Sequence, residues 1–292
     1  MEHKIETMQS DSASRQKRSW KWPVIWILYI AAFLFLSRYD LQASLYLTSI
    51  RNRWVVWWGT HIAILPASLI LAYCGSCLYL VTAGWKRGLM MACAVIGSMI
   101  ASFYILQPKW NLAGFLLIAA LGFCIWMRSW YLAHHVDLSR PEAVNACLVG
   151  LLLVVSAMAA TSLLKMVWGR PRFISLADPQ RDFVPWYQFH GFTLTEDLHK
   201  SFPSGHTTAA ATVLWITLLP KLYPSLAKRE RTLWILAVLW IAVAAFTRIM
   251  AGMHFISDTM GAFMVGLGFF LYYRAKLMSS NQSWIGQGKK NG

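Results

Sequence analysis

Three short stretches carry residue types that could do chemistry together. "KMVWGRPRF" sets Lys165, Arg170 and Arg172 within eight residues. "PSGH" runs from Pro203 to His206, just before an apolar run. "TRIMAGMHFISD" ends one apolar run with Arg248 and opens the next with His254 and Asp258. Each has an ordinary reading by itself: basic side chains snorkelling at an interface, a helix start capped by Ser204, and an ion pair at helical spacing. Together they hold cations for anionic oxygens, free N–H groups at a helix start, and two histidines. A carboxylate bonded to one ring nitrogen of His254 would fix its tautomer and sharpen the other as a nucleophile. That is equipment for phosphoryl transfer: clamp the oxygens, attack phosphorus, protonate the leaving oxygen.

The elements that position these stretches are membrane helices. The chain has 292 residues, 57% hydrophobic and 13% charged, against about 25% charged in a soluble domain. Eight apolar segments recur, at 22–37, 59–83, 88–106, 111–131, 145–166, 206–224, 232–250 and 255–274, each near spanning length. Two longer polar connections, 38–58 and 167–205, separate them. Sixteen Trp fit the same class, because Trp gathers at membrane interfaces. The net charge of +15 reads as positive-inside loops and contact with anionic head groups, not as a nucleic-acid partner.

Placing the N-terminus inside puts Arg15, Lys17, Arg18, Lys86, Arg87, Arg128, Arg140, Lys221, Lys228, Arg229 and Arg231 on the cytoplasmic side. The 167–205 connection then falls on the far side, and Lys165, His206, Arg248 and His254 all sit at outer segment ends. Residues 1–21 lack a signal-peptide cleavage site and read as a cytoplasmic tail before an uncleaved span. The ends, 1–19 and 279–292, read as disordered. Cys74 and Cys77 form a CxxC on a spanning segment with no partner pair, so these cysteines, with Cys93, Cys124 and Cys147, read as packing residues.

In type and spacing the three stretches resemble the signature of type 2 phosphatidic acid phosphatases (PAP2), the membrane branch of the vanadium haloperoxidase-like superfamily. Lys165 and Arg172 have the first motif's spacing, Pro203 to His206 match the second in full, and Arg248, His254 and Asp258 match the third. Phe173 stands where Pro is usual, and Thr247 where Ser is usual. The resemblance covers about 165–258. It implies that His254 is the nucleophile, forming a phosphohistidine, that Asp258 orients it, and that His206 is the general acid and then the base for water. It implies that Lys165, Arg172, Arg248, and Ser204 with the Gly205 backbone bind phosphate oxygens, with no metal or other cofactor. Arg170 is a bystander by spacing.

The expectation is an all-α polytopic bundle of six to eight spans with a PAP2-type core in the C-terminal half. Its parts are a tail at 1–21, membrane helices at 22–144, the core at 145–274 and a second tail at 275–292, both tails cytoplasmic. The activity implied is hydrolysis of a lipid phosphate or diphosphate at the outer face of the cell (inner) membrane. Substrates of this class include undecaprenyl diphosphate, phosphatidylglycerol phosphate, phosphatidic acid and lipid A phosphates. A lipid phosphotransferase using the same intermediate is the alternative. A transporter would carry its charges near the midplane on broken helices, not at helix ends. The loop 182–199 is expected to cover the site, with His190 and His199 as loop residues and not metal ligands.

Overall fold

The computed structural model describes residues 21–107, 111–194 and 197–279. The two expected disordered ends lie almost wholly outside these residues. Among the described residues every regular element is helical. The N-terminal half holds α1 (Lys21–Leu36), α2 (Asp40–Ser49), α3 (Arg53–His61), α4 (Leu65–Val81), α5 (Gly84–Leu106) and α6 (Leu112–Ala133). The C-terminal half holds α7 (Pro141–Trp168), α8 (Gly205–Ala211), α9 (Glu230–Met250) and α10 (Ile256–Met278). Six stretches are long and apolar enough to cross a membrane, and the chain is a multi-pass membrane protein.

Two expectations need correction. The 38–58 connection is not a polar loop: α2 and α3 occupy most of it, and Asn52 caps α3 by accepting from the N–H groups of Trp54 and Val55. The 206–224 segment is not a regular span. After α8 it tightens into a 3-10 stretch, Thr212–Leu218. Hydroxyls there bond back to helix carbonyls, Thr208 to Ser204, Thr212 to Ala209 and Thr217 to Leu214. Such back-bonding competes with regular helix.

The helix α7 is the central post. Pro141 at its start and Gly169 just past its end are favourable stop signals at both termini. Its 28 residues reach ~42 Å at 1.5 Å per residue, more than the ~30 Å hydrocarbon layer, and Lys165 lies in its last turn. It packs against α4, α8 and α10, and its buried face is nearly all small or aliphatic. The cysteines Cys74, Cys77 and Cys147 lie free and buried in this core.

Gly169 has φ +60, and a Cβ there would come within 2.0 Å of the Gly191 carbonyl oxygen. That position therefore needs glycine twice over, for its left-handed backbone and for the loop that returns onto it. Gly59 in α3 is the other tight point: a Cβ would lie 1.8 Å from Thr247 Oγ1. The N-terminal α3 thereby presses directly on the end of α9, where Arg248 begins its work.

Candidate active site

The start of α10 organises the site. Phe255 is its N-cap, and Asp258, three residues on, reaches back to accept the Phe255 N–H at 2.8 Å, half of a capping box. His254 lies ahead of the helix, in the turn leaving α9, so the pair does not share a helix face as the spacing suggested. The His254 Nδ1 is 2.8 Å from the Ser201 carbonyl oxygen and 3.7 Å from Asp258 Oδ2. A carbonyl only accepts, so Nδ1 carries the proton and Nε2 is left bare. The direct partner is thus Ser201, and the carboxylate is a nearby charge at a distance too long for a hydrogen bond. Ser201 joins the two, because its Oγ donates to Asp258 Oδ2 at 2.6 Å. Burial lowers the His254 imidazole from its ordinary value to about 3, keeping the ring neutral.

The PSGH stretch is tied to the same point. The Ser204 N–H donates to the Asp258 carbonyl at 3.0 Å. Ser204 caps α8 as expected, its Oγ accepting from the Thr207 N–H and hydroxyl. Gly205 faces Lys165, whose Cε would sit 3.4 Å from an added Cβ. Lys165 donates through Nζ to the Lys200 carbonyl at 2.7 Å. His206 Nε2 is 3.2 Å from the Thr60 carbonyl, so that nitrogen is the protonated one. Thr60 also holds Arg248, accepting from Nη1 through its hydroxyl at 2.7 Å.

Arg172 enters from the loop after α7. Its Nη2 pairs with Asp197 at 3.0 Å, and its Nη1 contacts Met253 Sδ, on the turn that carries His254. Among the described residues, the buried Nε atoms of Arg172 and Arg248 have no hydrogen-bond partner. Buried donors of this kind usually find one, and an anion would supply it. The backbone of the Met253 turn is held by Arg248 itself, whose carbonyl accepts the Met253 N–H. The structure therefore gathers Lys165, Arg172, Ser204, Gly205, His206, Arg248, His254 and Asp258 into one bonded cluster.

Arg170 is no bystander. Its side chain is fully buried and donates through Nη1 to Asp258 Oδ1 at 2.6 Å and through Nη2 to Asp40 Oδ2 at 3.0 Å. Spacing assigned it no role, because its partners lie in other motifs or outside all of them. Asp40, Thr60 and Ser201 were equally missed. Asp40 fell in the 38–58 stretch read as a polar connection, where a carboxylate carries no signal; only the helix that runs through that stretch makes it costly. The Thr247 hydroxyl turns back to the Ala244 carbonyl, so it serves α9. Phe173 packs edge-on against Phe255, ring centroids 6.2 Å apart.

The loop after α7 folds down on an aromatic cluster. Trp168 packs on Phe189 and Phe202, and Trp186 on Phe33 and Phe202. His190 and His199 stack with parallel rings 6.1 Å apart. Among the described residues no third His, Cys, Asp or Glu joins them in a metal-ligating group.

Residues 145–280 match the family model of the PAP2 superfamily. The C-terminal half of this membrane protein is thus similar to the PAP2 superfamily. A curated relative, phosphatidylglycerophosphatase B of Bacillus subtilis (strain 168), is 33% identical over 88 residues, 30% of this chain and 39% of that protein. The match thus spans about two-fifths of the relative's length. A solved structure, described as the first transmembrane PAP2 type phosphatidylglycerolphosphate phosphatase from Bacillus subtilis, aligns over 87% of this chain and 96% of its own. Its TM-score is 0.45 at 19% identity.

Proposed function

We propose that this chain is a lipid phosphatase that works through a covalent phosphohistidine. The observation that carries the reading is the pairing of a neutral, buried His254 with a bare Nε2 and two buried guanidinium Nε atoms that lack partners. Lys165, Arg172 and Arg248 hold the phosphate oxygens. His254 Nε2 forms a bond to phosphorus as the phosphorus–oxygen bond to the lipid breaks, and His206, entering the step as an imidazolium with its Nε2–H kept on the Thr60 carbonyl, gives the leaving oxygen the proton of Nδ1. Water then attacks phosphorus, His206 takes the water's proton, and the nitrogen–phosphorus bond breaks to release phosphate. As His254 becomes cationic in the first step, the negative charge of Asp258 stabilises it.

The substrate is a phosphorylated membrane lipid. The name of the curated relative favours phosphatidylglycerol phosphate within that class. The site lies at the outer face of the cell (inner) membrane, with both termini cytoplasmic, a reading supported by the excess of Lys and Arg in the opposite connections. The test is phosphate release from a panel of purified lipid phosphates in detergent, wild type beside His254→Ala. Release by wild type alone supports hydrolysis. Label moved to a second lipid with no free phosphate would replace hydrolysis by transfer, and no reaction with any lipid phosphate would overturn the reading.

A further inference from the structure

The matched domain begins at residue 145, yet one carboxylate of the buried network comes from much earlier in the chain. Asp40 opens α2 and is 1% exposed. Its Oδ1 accepts the Ser257 N–H at 2.9 Å, and its Oδ2 accepts the Ser257 hydroxyl and Arg170 Nη2. Arg170 in turn donates to the Ser257 hydroxyl at 2.8 Å, to Asp258, and through Nε to the Val184 carbonyl at 2.9 Å. Its guanidinium lies over the Phe255 ring, 4.1 Å from the centroid. One cation thus serves two carboxylates, and both are sealed from water.

The charge count matters. With Asp40 and Asp258 ionised around one Arg170, the network carries one net negative charge, beside an imidazole that must become cationic when it takes a phosphoryl group. Without Asp40, Arg170 would neutralise Asp258 completely, and the charge facing His254 would vanish. We propose that Asp40 is a positioning residue of the active site: by sharing Arg170 and fixing Ser257 at the start of α10, it leaves Asp258 a net negative charge toward His254. The N-terminal helices are then part of the working site. The inference rests on the phosphatase reading above.

Asp40 touches no substrate atom in this arrangement, so its effect falls on kcat and not on KM. The experiment compares wild type, Asp40→Asn, Arg170→Gln and the double variant Asp40→Asn/Arg170→Gln, purified in detergent and assayed for phosphate release from a lipid phosphate. Asp40→Asn removes the net charge, and kcat should fall by at least about tenfold while KM stays within about twofold, as expected when an interaction made only in the transition state is lost. The double variant restores one net negative charge, so its kcat should exceed that of Asp40→Asn. A purely structural role predicts the opposite, since two broken partners would fold worse than one. Asp40→Asn within about twofold of wild type in kcat, or a double variant no better than the single, overturns the proposal. Should Asp40→Asn not purify folded, the double variant is judged against wild type alone: kcat above about one-tenth sustains the charge balance, and anything lower overturns it. A wild type silent on every lipid phosphate overturns the phosphatase reading, and this inference falls with it. An active wild type with an indifferent Asp40 removes only the inference.

Discussion

Lys165 and His254 donate to consecutive backbone carbonyls, those of Lys200 and Ser201, at 2.7 and 2.8 Å. Adjacent residues are fixed 3.80 Å apart at Cα, so a cation from the end of α7 and the imidazole ahead of α10 share one rigid rail. The same short segment leads straight into the PSGH stretch. The separation between the proposed phosphate clamp and the proposed attacking nitrogen is therefore set by main chain, which has far less freedom than a lysine side chain.

His206 supplies the proton in the proposed first step, so its replacement should be felt according to the leaving group. His206→Ala should lose 10²–10⁴-fold on a lipid monophosphate, the usual worth of a positioned acid. The loss should be smaller on an aryl phosphate with an acidic phenol, which needs no proton. Equal losses on both substrates in a variant of unchanged thermal stability would take the acid role from His206.

Thr60 separates two effects in one side chain. Its hydroxyl holds Arg248 and its carbonyl holds His206. Thr60→Val keeps the shape and the carbonyl and loses only the hydroxyl. A bond to a charged group is worth ~1.5–3 kcal/mol, so kcat/KM should drop by roughly ten- to a hundredfold. The ratio between alkyl and aryl substrates should stay as in wild type, which a steady-state comparison of the two reads directly.

Asp197 competes with the substrate. It is 75% exposed and pairs with Arg172, which is almost fully buried. An arriving phosphate has to displace that carboxylate. Asp197→Asn should lower KM by a few-fold, in keeping with the small worth of an exposed pair, and leave kcat near wild type. A raised KM would mean that the pair instead holds Arg172 in its binding position.

The depressed His254 gives a pH dependence of defined sign. Its folded value is about 3, and the unfolded ring titrates near ~6.5. Between the two, the unfolded chain binds a proton that the folded chain does not, so stability rises with pH. The contribution is complete above ~6.5 and is lost as pH falls toward ~3. Lowering the pH from 6.5 to 5 should cost roughly 2 kcal/mol at this one site. Thermal unfolding in detergent at both pH values should show a smaller drop for His254→Asn than for wild type, and equal drops would contradict a neutral buried ring.

The sequence made part of this legible and hid the rest for physical reasons. His254, Asp258 and the PSGH stretch stand at fixed short spacings, and short spacing is what a reader of sequence can see. The partner of His254 was misread because a backbone carbonyl, that of Ser201, carries no side-chain signature. Arg170 was set aside because its two carboxylates are 88 and 130 residues away. Thr60 is an unremarkable threonine until α3 is pressed against α9 through Gly59. The spans at α4 to α7 followed from hydropathy alone, whereas α2 and α3 did not, because Asp40 and Thr60 read as loop residues in the sequence while the fold turns both toward arginine partners.

The Asp40–Arg170 pair also sets an order of biogenesis. Asp40 leaves the ribosome 130 residues ahead of Arg170 and 217 ahead of Ser257. At about 5–20 residues per second of synthesis, it waits roughly ten to forty seconds for its last partner. Until Arg170 is made, the nascent chain carries an unmatched acid in its N-terminal helical region, a costly state. Asp40, at the start of α2, is thus among the last of the described side chains to gain its full set of partners. A chain that stops before Arg170 leaves this acid without its counter-charge.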